Sequence, residues 1–132
     1  MNRVPSLLTA LVAIALSACS PRGNDPLAEA QAAYDAQDYI TALDRAQAVL
    51  AQDTGDPDAL ELLARSQLAM GQGNVAAATL VRLENSGSQP ADANLLAAEA
   101  FLQSGSAAAA LERIGDDTSA EAWRLRALAA IA

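Results

Sequence analysis

The apolar residues of this chain fall into one opening run, residues 4–18, and then into alanine- and leucine-rich stretches parted by short polar turns. β-Branched and aromatic residues never alternate over a useful length, so nothing reads as a strand. Helix propensity is high throughout, and the fold class predicted is all-α. Asp25-Pro26, Asp56-Pro57 and Gln89-Pro90 each place proline at a first helical position, where its missing N–H loses no partner. Asp25 and Asp56 are candidate caps for the free amides that follow them. Thr118-Ser119-Ala120-Glu121 has the form of a capping box. Gly71-Gln72-Gly73-Asn74 and Ser104-Gly105-Ser106 are turn signals. Together these marks predict helices over 26–36, 39–52, 57–70, 74–85, 90–103, 106–114 and 119–131.

A period runs through them. Gln37, Gly71 and Gly105 stand 34 residues apart, and Ala30, Ala64 and Ala98 fall in the same register. So do Tyr34, Leu68 and Leu102, then Ala42, Ala76 and Ala110, then Ala46, Leu80 and Ile114. Leu43 and Leu111 match with Ala77 between them. A repeat of this length is the tetratricopeptide period. On these residues, together with Tyr39, Leu60, Leu63, Phe101 and Pro57, residues 26–132 resemble the tetratricopeptide-repeat family. The resemblance implies a right-handed helical-hairpin solenoid of about three units plus one extra helix. Small residues at the shared register let helices cross closely, and larger ones fill the space between. The chain departs from the family pattern at Gln37, where glycine usually turns the backbone. A two-residue excess is expected near Gly73-Asn74, and the prolines ending the second and third units are displaced or absent.

In that family the first helix of each unit lines a concave groove that holds a peptide or a segment of another protein. By register the groove here presents Gln31, Tyr34, Glu61, Arg65, Leu68, Glu99 and Leu102. Tyr34 and Leu68 would receive apolar side chains, and Arg65 would grip a carboxylate through two hydrogen bonds. Trp123 opens what looks like a fourth unit, yet Trp123, Leu125, Leu128 and Ile131 spread apolar surface over much of the last helix. Either that helix is a cap with Arg124 and Arg126 facing water, or the chain is the N-terminal piece of a longer array. The second is preferred.

The opening run is about 15 residues, short of the roughly 20 needed to span a bilayer as a helix. Arg3 precedes it and small residues end it, the order of a secretory signal. Leu16-Ser17-Ala18-Cys19 resembles the lipobox of bacterial lipoproteins. That resemblance implies cleavage before Cys19, lipid on its thiol, and a tether over 19–25 ahead of the repeat domain at 26–132. Ser20, rather than aspartate, after the cysteine implies sorting to the outer membrane of a Gram-negative envelope.

Charge narrows the partners. All sixteen acidic residues follow the leader, against seven arginines, so the remaining part carries about nine negative charges; lysine and histidine are absent. Such a surface repels nucleic acid and anionic head groups. With no histidine and the lone cysteine assigned to lipid, no catalytic constellation is found, and no cofactor or metal is expected. Asp53, Asp56 and Asp58 around Gly55 miss the ligand spacing of an EF-hand loop and read as caps. Asp116-Asp117 is a second acidic pair without a ligand pattern. Gly71-Gln72-Gly73 has no preceding strand and no following lysine, so it is no phosphate cradle.

The function expected is a non-enzymatic, lipid-anchored periplasmic adaptor that binds proteins. Pilus biogenesis, outer-membrane assembly and exopolysaccharide export are the settings the resemblance implies. The run through Leu63-Ala64-Arg65, Leu68-Ala69-Met70-Gly71 and Ala76-Ala77-Ala78 looks most like the array proteins of exopolysaccharide export. A module binding cell-wall polysaccharide or peptidoglycan, and the repeat region of a larger envelope enzyme, are the alternatives.

Overall fold

The computed structural model describes residues 25–132; the leader and Cys19 lie outside the described residues. The described part is all-helical. Its helices are α1 (Pro26–Asp35), α2 (Tyr39–Leu50), α3 (Pro57–Ala69), α4 (Gly73–Asn85), α5 (Ala93–Gln103), α6 (Ala107–Ile114) and α7 (Ala120–Ala129). Several begin as the sequence predicts. The Asp25 carboxylate accepts the Leu27 amide at 3.1 Å, and Asp56 accepts that of Ala59 at 2.8 Å. Asp38 caps α2 in the same way, through Thr41 at 3.2 Å.

Two expected starts differ. Pro90 is not the first residue of α5; its carbonyl accepts the Ala93 amide in a turn ahead of the helix. Asp92 holds the cap position but makes no side-chain cap, because its carboxylate is bound to Arg65. The capping box before α7 does not form either. Ser119 is the cap, bonded to the Ala122 amide, while Glu121 is drawn to Arg124.

The three intra-unit turns are built alike, and the reason is local. Gln37, Gly71 and Gly105 have φ of 61°, 72° and 75°, the left-handed region. Their amides bond to Tyr34, Leu68 and Leu102, and the next amides reach back to Ala33, Gln67 and Phe101 at 2.8–2.9 Å. This paired closure is the Schellman motif, which satisfies the last carbonyls of a helix. It recurs every 34 residues. Gln37 therefore does glycine's work with a side chain attached, at about 1–2 kcal/mol of backbone strain. Gln37→Gly should raise stability by roughly 0.5–1 kcal/mol, the strain relieved exceeding the entropy glycine adds to the unfolded chain. Gly71→Ala should lower it by about 1 kcal/mol. A Cβ there would meet nothing within 4 Å, so the change is conformational alone. Thermal melts of the two variants should shift in opposite directions.

The second helices start at Tyr39, Gly73 and Ala107, still 34 apart. The excess expected near Gly73-Asn74 is thus absent. Variation in length falls in the loops between units and in α6, which has 8 residues where α2 has 12 and α4 has 13. Gly73 is helical, and the left-handed residue of that turn is Gly71.

Each helix packs on its neighbours in sequence, giving hairpins α1–α2, α3–α4 and α5–α6 with α7 against α5 and α6. The odd helices also touch one another in order, α1 to α3 to α5 to α7, whereas among the described residues α2, α4 and α6 do not. The stack therefore bends with the odd helices inside. Alanine makes the crossings close. Ala30, Ala64, Ala98, Ala42, Ala76 and Ala110 are all fully buried, as their shared register requires. Leu60, Leu63, Leu80, Leu83 and Leu96 fill one core over the first units; Ala98, Ala110, Ile114, Ala122 and Leu125 form a second under α7. Thr79 and Gln67 are buried and bond to each other at 2.8 Å. No side-chain polar atom buried among the described residues lacks a partner.

The last helix presents two faces. Ala122 and Leu125 are buried, while Trp123 is 61% exposed; Ile131, expected in this helix, lies past its end at Ala129 and is 82% exposed. The two arginines do more than face water. Arg126 bonds to the carbonyls of Asp117 and Gly115 and lies 5.1 Å over the Trp123 ring. Arg124 binds Glu121 and stands 3.6 Å from Glu99 on α5. Among the described residues no helix is long and apolar enough to cross a membrane.

Candidate functional site

Because the odd helices lie side by side on the inner face of the bend, the residues one turn apart on them form a continuous trough. It has two depressions. The first, with a volume of about 680 Å³, lies between α1 and α3 over Leu27, Leu62 and Tyr34. The second, about 320 Å³, lies between α3 and α5 over Leu68, Leu95 and Leu96, and Glu121 of α7 closes its end. Tyr34 and Arg65 line both, so they form the saddle between them. The floor is apolar and the rim is charged.

Six of the seven residues expected in the groove are here: Gln31, Tyr34, Glu61 and Arg65 in the first depression, and Leu68 and Glu99 in the second. Their roles differ from expectation in two places, at Leu102 and Arg65. Leu102 does not line the trough. It is half-buried against the second core, which α5, α6 and α7 build together. Leu68, 5% exposed and part of the main core, lies in the floor of the second depression, the place from which it would receive an apolar side chain. Arg65 is not free to grip a carboxylate. Its Nη2 donates to both oxygens of Asp92, at 2.8 and 3.0 Å, and its Nε donates to Glu61 at 2.8 Å. Burial pulls this guanidinium down, and the bonds to Asp92 and Glu61 more than offset that, so its pKa stands above the ordinary arginine value. It stays charged, held between α3 and the start of α5.

Tyr34 is half-buried, its ring 5.5 Å from that of Tyr39 at a tilt of 60°. Burial raises its phenol above the usual value, against the opposing pull of Arg65. It remains neutral and offers a ring face with a hydroxyl. Gln31 bonds along its own helix to Asp35 at 2.9 Å. Asp53 and Asp56 are spent on local structure, while Asp58 faces the first depression. Asp53 accepts the Gly55 amide at 3.0 Å, and Asp56 caps α3. Among the described residues no three or more potential ligands gather at a site able to hold a metal ion.

Sequence reasoning missed Asp25, Asp58, Asp92 and Glu121 as trough residues. The register signal could have found Asp58, one turn ahead of Glu61. The same signal could have found Asp92, which follows Asp58 by one period of 34, but not its pairing with Arg65 across 27 residues of chain.

The architecture defines a class, a solenoid of helical hairpins whose inner row is a trough. Residues 33–91 match the tetratricopeptide-repeat family, and the match supports a tetratricopeptide-repeat protein. It spans α2, α3 and α4 with the end of α1. No curated protein and no solved structure matches the chain. Tetratricopeptide repeats generally mediate protein–protein interaction, and the proteins that carry them are typically non-catalytic scaffolds.

Proposed function

We propose that the chain is a lipid-anchored scaffold of a bacterial envelope that holds a segment of a partner protein in the trough between α1, α3, α5 and α7. The observation that carries this is the trough itself. It pairs an apolar floor with a charged rim, built from helices whose spacing is held by fully buried alanines. Such a surface suits an extended or helical segment, since each depression can take one apolar side chain. The anchor rests on Leu16-Ser17-Ala18-Cys19. Two or more acyl chains give stable attachment where one is marginal, and an acidic body adds no electrostatic attraction to anionic lipid. Assembly or export at the envelope, exopolysaccharide export among the options, is the setting in which an anchored adaptor has a use.

The test has two arms. Cys19→Ser should move the protein from the membrane fraction to the soluble periplasm; persistence in the membrane rules the lipid anchor out. A photo-crosslinking residue in place of Gln31, at the trough, should capture a discrete protein in living cells. The same residue in place of Asp44, exposed on α2 in the outer layer, should not. Equal labelling from both positions argues against the trough as the docking site.

A further inference from the structure

The charge on the trough narrows what it accepts, given that the trough is the docking site. Its ionisable lining is Asp25, Asp58, Glu61, Asp92, Glu99 and Glu121 against Arg65, with Arg124 at the end on Glu99 and Glu121. Six carboxylates against two guanidinia leave four negative charges in excess. The excess is uneven. The second depression has Arg65 and Arg124 bound to its acids. The first has Asp25 and Asp58 with no arginine on either among the described residues. Arg65, the saddle cation, is held by Asp92 and Glu61 and cannot turn to greet an anion without breaking three hydrogen bonds.

We infer that the trough takes a cationic segment of a partner protein, with an arginine or lysine over Asp25 and Asp58 and an apolar side chain on Leu27, Leu62 and Tyr34. Charge complementarity of this kind steers encounter and rejects wrong partners. The geometry supplies both parts of the recognition. Asp25 caps α1 and Asp58 stands in the first turn of α3, and the apolar floor lies beside them. The face of Tyr34 adds a site for a cation over an aromatic ring. A free anion or an acidic peptide meets like charge and an arginine that is already occupied.

The probe is a phage-displayed library of random peptides, roughly twelve residues long, panned on the full chain in detergent micelles at low salt, about 50 mM. Selected peptides should be enriched in arginine and lysine, each with an apolar neighbour. A synthetic copy of the most enriched sequence should bind about tenfold more weakly to the double variant Asp25→Asn, Asp58→Asn, and should weaken as salt rises. Asparagine still caps α1, so circular dichroism should show unchanged helix. Removing the same charge from the outer layer, by Asp44→Asn with Glu112→Gln, should change affinity less than about twofold.

Equal weakening by the two double variants would mean a general attraction to an acidic protein and overturns the inference. Neutral or acidic peptides whose binding is lost in Tyr34→Ala also overturn it, while leaving the trough as a docking site. No enrichment at all, or peptides indifferent to Tyr34→Ala, sinks the trough reading together with it.

Discussion

Leu60→Ala should destabilise the protein by about 2–5 kcal/mol, the loss expected when a fully buried leucine leaves a cavity behind. Leu60 is 1% exposed near the start of α3. That helix touches α1, α2, α4 and α5, so nothing can close over the gap without moving several elements. The surrounding core is unusually rich in alanine, which supplies little apolar area per residue. Each large side chain therefore carries more of the whole. A small domain has only about 5–15 kcal/mol to lose. The change is read as a lower urea midpoint with the slope retained. A loss below about 1 kcal/mol would mean that α3 is not the central strut of the stack.

Gly73→Ala should also destabilise, by roughly 1–3 kcal/mol, although helix propensity alone argues for a gain of about 1 kcal/mol. The sign is decided by space. A Cβ on Gly73 would lie 2.6 Å from the carbonyl oxygen of Ala100 on α5. A backbone oxygen cannot rotate aside, so α4 and α5 must part. Their contact joins the second unit to the third. The variant should melt earlier, and hydrogen exchange should rise first in α5 to α7. A rise in melting temperature would show that the crossing has slack.

Much of the fold was legible because its determinants are local. The residues that turn the chain at 37, 71 and 105, the buried alanines at 30, 64 and 98, and the caps at Asp25 and Asp56 are each set by a few neighbouring dihedrals and hydrogen bonds. A strict period then multiplies one local solution. Gly73 shows the limit. As a letter it reads as part of a turn, and only the approach of Ala100 from the next unit explains it. Pro90 shows the same limit from the other side: it sits in a turn ahead of α5, and Asp92 at the cap position is bound to Arg65 from the preceding unit.

The trough was half legible. Register placed Gln31, Tyr34, Glu61, Arg65, Leu68 and Glu99 on the inner face, because residues sharing a helical phase share a side. It could not see that Asp92 and Glu61 occupy Arg65, nor that Leu102 packs against the second core.

The amino-acid order by itself determined the helices, their 34-residue register and the small residues at their crossings, since these depend on backbone preference and spacing along one chain. Only the tertiary structure decided which charges meet. Arg65 finds Asp92, Arg113 finds Glu84 and Arg124 finds Glu99 across 25 to 29 residues. A long side chain settles its partner by three-dimensional distance, and that distance exists only once the units have stacked.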